Sequence, residues 1–170
     1  MRAEKAVQEN RIFSMASEIG EFIGNRAYRA LLAEVYTTPK PGLVDLFSTG
    51  AHKDMDVHTF EKSAYALYPW FVRMAAQGAI SNGSLQDLFR DVRSFGVQAE
   101  RAMYRATGGV NTHKGLIFTL GIYCAAAGRC ARENEGVIEW KQLREIQCQM
   151  VGKIPVSYTH LRAHETSQDL

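Results

Sequence analysis

Two short stretches hold most of the residues in this chain that can do chemistry. The first, Thr107-Gly108-Gly109-Val110-Asn111-Thr112-His113-Lys114-Gly115, places two glycines ahead of four polar side chains just where an apolar helical pattern begins. A helix start leaves free N–H groups and a partial positive charge, which together suit phosphate. Gly108, Gly109, Asn111, Thr112 and Lys114 are therefore candidate binding residues for an anionic substrate group, and His113 is a candidate catalytic residue. A plain helix stop followed by an Asn or Thr N-cap would leave His113 and Lys114 unexplained.

The second stretch runs from Thr38-Pro39-Lys40-Pro41-Gly42 to Asp56. Two prolines fix the backbone and glycine permits a reversal, so Lys40 is displayed on a pre-ordered turn. The following loop carries Asp45, His52, Lys53, Asp54 and Asp56, with His58 just beyond it. In an extended segment His52, Asp54, Asp56 and His58 would project to one side. Asp54 and Asp56 are thereby candidate ligands for Mg²⁺, a hard cation that takes oxygen ligands beside substrate phosphates. Asp56 has a second reading, as the N-cap of the next helix.

The elements that must position these residues all read as helices. Apolar residues recur at three- and four-residue steps from about Arg2 to Tyr36, through Ile12, Met15, Ile19, Phe22, Ile23, Ala27, Ala30 and Leu31, with Gly20 and Gly24 able to bend or split the run. A second helix is expected over about 57–79, with Phe60, Ala64, Leu67, Phe71, Met74 and Ala75 on one face and a kink near 66–68 caused by Pro69. Tyr65, Tyr68, Trp70 and Phe71 form an aromatic group that reads as core and, alternatively, as a surface for stacking adenine. Ser84 and Asp87 make a capping box for a third helix ending at Gly108-Gly109. Leu116 to Ala127 is apolar nearly all round, so it is expected to be a buried central helix that ends at Gly128. A last helix is expected over about 137–151. No strand longer than a few residues and no βαβ pattern appear, so the fold class is all-α, a multi-helix bundle around that central helix.

Composition excludes several classes. The chain has 170 residues, 46% hydrophobic and 22% charged, with a net charge of +2 and scattered basic residues. That balance argues against disorder and against nucleic acid as a partner. There is no signal-peptide pattern and no apolar window near the roughly 18 residues of a membrane span, so the chain reads as cytoplasmic, with no membrane role. Cys124, Cys130 and Cys148 lack metal spacing and read as reduced, structural residues. Residues 155–170, beginning Pro155-Val156-Ser157-Tyr158-Thr159-His160, resemble the in-frame translation of a sequencing-library adapter. On that reading residues 1–154 are the native part, and His160 and His164 are not a metal pair.

Glu34 to Asp45, Gly50 to Asp56 and Thr107 to Gly115 occur in that order, and together they resemble the triphosphoribosyl-dephospho-coenzyme A synthase family over roughly residues 27–128. The resemblance implies an all-α enzyme whose substrates are ATP and 3′-dephospho-coenzyme A. The ATP ribose would be joined through its anomeric carbon to a ribose hydroxyl, with adenine leaving and the triphosphate retained. The product would be the prosthetic-group precursor for the acyl-carrier protein of citrate lyase or malonate decarboxylase. Family members extend well past this chain, so the resemblance implies an N-terminal fragment, whose activity alone is in question. It leaves a homo-oligomer open.

The residues suit that chemistry. Breaking an N-glycosidic bond calls for a carboxylate near the anomeric carbon and a base for the attacking hydroxyl, which Glu34, Asp45 or Asp54 can supply. Lys40, Lys114 and the helix start at Asn111-Thr112 can hold the triphosphate with Mg²⁺. His113 or His52 can protonate departing adenine or bind phosphate. Two other readings compete: a metal-dependent phosphohydrolase built on His52, Asp54, Asp56 and His58, and a non-catalytic nucleotide-binding helical module.

Overall fold

The computed structural model describes residues 2–152 as five helices: α1 (Arg2–Tyr36), α2 (Val57–Ile80), α3 (Leu85–Thr107), α4 (Lys114–Glu133) and α5 (Trp140–Val151). No strand occurs among the described residues, and the fold is all-α. The adapter-like stretch at 155–170 lies outside the described residues.

Packing is organised by two helices. α2 lies against α1, α3 and α4, while α4 touches all four of the others. The expected apolar face of α2 is the core: Leu67, Phe71, Met74 and Ala75 have no exposure, and they meet Leu88 and Met103 of α3 and Cys130 of α4, which are equally enclosed. Each large side chain so buried contributes roughly 1.5–3 kcal/mol. The bundle is therefore centred on α2 as much as on the fourth helix, whose first turns leave Leu116 and Phe118 exposed.

Glycine explains where the pattern misleads. α4 does not end at Gly128 but continues to Glu133. A Cβ on Gly128 would lie 2.0 Å from the Ala75 carbonyl oxygen, and one on Gly78 would lie 2.0 Å from that of Ala125. The two glycines let the backbones of α2 and α4 touch, which is why Gly128 sits inside a helix. Gly20 and Gly24 likewise do not split α1, which is one helix; both face Val72 of α2. The buried stripe of α1 is consequently Ala16, Ile23, Ala27, Leu31 and Val35, and Phe22 is turned outward beneath the Arg26 guanidinium.

Helix boundaries follow local chemistry. Asp56 caps α2 in a capping box with Thr59, and Ser84 caps α3 in one with Asp87. α2 runs on through Pro69. The aromatic group disperses over several faces: Phe71 is core, Tyr65 is exposed, Tyr68 bonds Glu21, and Arg73 lies over Trp70. α5 begins at Trp140, three residues later than the periodicity suggests. Arg129 and Arg132 donate to the Gly83 and Ser81 carbonyls, tying the α2–α3 turn to the end of α4. All three cysteines are free, Cys124 and Cys130 buried and Cys148 exposed.

Candidate active site

The loop between α1 and α2 is built around Asp45. Its Oδ2 accepts from Thr38 Oγ1 (2.9 Å) and the Lys40 amide (3.0 Å), and its Oδ1 from the amides of Phe47 (2.9 Å) and Ser48 (2.8 Å). The Lys40 amide, then Phe47, with Thr38 and Ser48, hold this carboxyl below the usual carboxylate range. With each oxygen accepting two bonds, Asp45 is the internal clamp of the loop. The Lys40 ammonium turns back to α1, donating to both the carbonyl and the carboxylate of Glu34 at 2.8 Å. α1 has no basic residue in its last turn, so Lys40 neutralises the negative end of that helix from the loop. Glu34 is thus ion-paired, with its side chain half exposed.

The second stretch supplies the turn into α4. Gly108 closes α3 in the left-handed region (φ 67°), and Gly109 follows at φ 95°. The amides of both turn back to the Tyr104 carbonyl. These two glycines make the reversal that side-chain-bearing residues would resist. Asn111 Oδ1 accepts the Lys114 amide at 3.3 Å. The Lys114 ammonium is 3.0 Å from Glu100 of α3, both groups reaching solvent.

His113 goes inward. It is 5% exposed, stands edge-on to Phe60 with ring centroids 5.0 Å apart, and places Nδ1 2.7 Å from the hydroxyl of Ser63 on α2. Thr112 Oγ1 donates to the same hydroxyl at 2.7 Å. No group among the described residues bonds Nε2. Burial lowers the imidazole pKa to about 4, partly opposed by the Glu34 carboxylate, whose charge His113 feels. The first two turns of α2 and the start of α4 therefore meet around His113.

The acidic loop does not act as a unit. Turns and bends at 50–54 and the start of α2 at Val57 break the extended alternation on which a common side depended. Asp56 gives Oδ1 to the Thr59 amide and hydroxyl at 2.8 Å. His58 pairs with Glu61 at 2.8 Å. His52 and Asp54 approach at 4.0 Å, with Asp54 63% exposed. No group of three or more His, Cys, Asp or Glu able to hold a metal occurs among the described residues. The residues present fit an ion carried in on a nucleotide and touched by Asp54, and do not fit an ion caged by protein alone.

Sequence reasoning missed Ser63, although a serine on the face of Ala64 and Leu67 was a visible irregularity. It also missed the surface chain in which Glu61 accepts from Tyr36 and pairs with His58, which raises the His58 pKa and lowers that of Glu61. Two open hollows, about 250 Å³ beside Phe22 and Ile138 and about 350 Å³ beside Trp140 and Arg144, lie away from these residues.

Compared with known families, residues 20–165 match the model of ATP:dephospho-CoA triphosphoribosyl transferase. The chain belongs to this family. Among relatives of the transferase family, a probable 2-(5''-triphosphoribosyl)-3'-dephosphocoenzyme-A synthase of Albidiferax ferrireducens is 50% identical over 117 residues, covering 68% of this chain and 39% of that protein. The probable synthase of Photobacterium profundum is 49% identical over 109 residues, 64% of this chain and 35% of its own length. The synthase of Haemophilus ducreyi is 49% identical over 111 residues, with 64% and 34% covered. The chain thus spans between a third and two fifths of these three transferase-family relatives. No solved structure matches it.

Proposed function

We propose that the protein acts in transfer of the triphosphoribosyl group of ATP to 3′-dephospho-coenzyme A. The bond from the ribose anomeric carbon to adenine breaks, a bond from that carbon to a ribose hydroxyl of the acceptor forms, and the hydroxyl proton leaves with adenine. The observation that carries this reading is convergence in a chain of the transferase family: α2 bonds Tyr36 of the first motif through Glu61 and His113 of the second through Ser63.

The geometry supports the following roles. Glu34 is the carboxylate whose field reaches His113, and it suits stabilisation of positive charge on the ribose. Lys40 and Lys114 face the triphosphate, each giving up its ion pair, of which that of Lys114 with Glu100 is a surface pair of small worth. Gly108, Gly109, Asn111 and Thr112 shape the turn beneath it. Asp45 holds the loop in register, while Asp54 meets Mg²⁺ brought as MgATP and His52 stands beside it. Asp56 serves first as a cap. His113 assists departure of adenine. The product is destined for the acyl-carrier protein of citrate lyase or malonate decarboxylase, in the cytoplasm; no helix among the described residues is long and apolar enough to cross a membrane. A phosphohydrolase is not favoured, because Asp56 and His58 are engaged elsewhere.

The test uses the protein at the full length of its relatives, incubated with MgATP and 3′-dephospho-coenzyme A. Free adenine should appear in step with acceptor consumed, and the triphosphate should stay intact. Inorganic phosphate without adenine would sink the proposal.

A further inference from the structure

Ser63 is fully buried on the apolar face of α2, where packing alone gives no reason for a hydroxyl. It accepts from Thr112 Oγ1, which leaves its own proton for the acceptor in reach, Nδ1 of His113. A neutral imidazole that accepts at Nδ1 carries its proton on Nε2. That Nε2–H is buried, and no protein group among the described residues receives it. A buried donor without an acceptor is costly enough that native proteins rarely keep one without a use.

We propose that Ser63, with Thr112, is a positioning residue that locks His113 as an Nε2–H donor for a ring nitrogen of the purine base. The assignment rests on the transferase reading above and names the part of the nucleotide that meets His113. The ring is enclosed and stands edge-on to Phe60, a setting in which a neutral ring nitrogen costs far less to desolvate at Nε2 than a charged phosphate oxygen. As the bond to ribose breaks, electron density collects on the base. The same N–H bond then strengthens without the ring having to become a cation. Burial, which keeps the imidazole neutral at physiological pH, agrees with a donor of this kind.

Long-range proton–nitrogen NMR of the ¹⁵N-labelled protein, at the full length of its relatives and at pH 7, tests the tautomer. In the unmodified protein Nε2 should resonate as the protonated nitrogen and Nδ1 as the bare one. In Ser63→Ala the two should move toward each other as the tautomers mix. A protonated Nδ1 in the unmodified protein overturns the proposal even if the variant fails to fold, and an unchanged tautomer in Ser63→Ala removes Ser63 from the role. Adenosine should shift the Nε2 resonance, and inorganic triphosphate should not; a shift with triphosphate alone overturns the assignment to the base. ATP that moves the Lys40 and Lys114 amides but leaves Nε2 unmoved overturns this inference while the transferase reading stands. ATP that moves nothing overturns both.

Discussion

Asp45 and His113 are each 5% exposed, yet their partners lie at opposite extremes of sequence distance. Every donor to Asp45 comes from within seven residues, whereas His113 reaches Ser63 fifty residues away. Closing a short loop costs little chain entropy, so the Asp45 clamp can form before the bundle does. The His113 contact exists only once α2 and α4 have packed. One side of the candidate site is therefore organised locally and the other by tertiary structure, and changes to the two should fail differently.

The largest effect concerns pH. Burial holds the folded His113 pKa near 4, below its unfolded value of 6.5. Between those values the unfolded chain binds a proton that the folded chain refuses. Stability attributable to this residue is thus complete above about pH 7 and falls as pH drops toward 4, by about 3 kcal/mol. Urea unfolding from pH 7.5 to 4 should show that slope in the native protein and lose it in His113→Gln; parallel slopes would mean the ring is not enclosed.

Ser63→Ala comes next. It leaves Nδ1 of His113 and the Thr112 hydroxyl without their shared partner, for a loss of roughly 1–3 kcal/mol in urea midpoint stability. Unchanged stability would make the contact incidental. Asp45→Ala should act on the loop alone: the Lys40, Phe47 and Ser48 amides should exchange at least ~10-fold faster while α2 amides keep their protection. Global loosening would show that the clamp is not local. Smallest in stability is Lys114→Ala, at most about 0.5 kcal/mol, because the pair with Glu100 is at the surface. At the full length of the relatives it should weaken triphosphate binding more than 3′-dephospho-coenzyme A binding. Equal losses would take Lys114 out of the phosphate role.

The same division governs how much was legible beforehand. Ser84 with Asp87, Asp56 with Thr59 and the Gly108-Gly109 stop are all set by residues three to five apart, and a single chain displays them plainly. The packed face of α2 was legible because its large apolar residues repeat at helical spacing. The stripe on α1 was misread because Phe22 looks more like core than Gly20 or Gly24, and only the approach of Val72 reveals what the glycines are for. Gly128 looked like a stop for the same reason. The extended alternation of the acidic loop is not formed, because helix capping engages Asp56 and the pair with Glu61 engages His58.

The sequence by itself determined the all-α class, the capped helix starts, the Asp45 loop and its kinship with the transferase family, since each rests on short-range chemistry or on motifs read in order. Only the tertiary structure decided that α2 and α4 touch through glycine and that His113 turns inward to a serine on another helix. Only it showed that Lys40 and Lys114 begin in ion pairs with Glu34 and Glu100. Those outcomes depend on which faces of distant helices meet, and that is settled when the whole core is buried together.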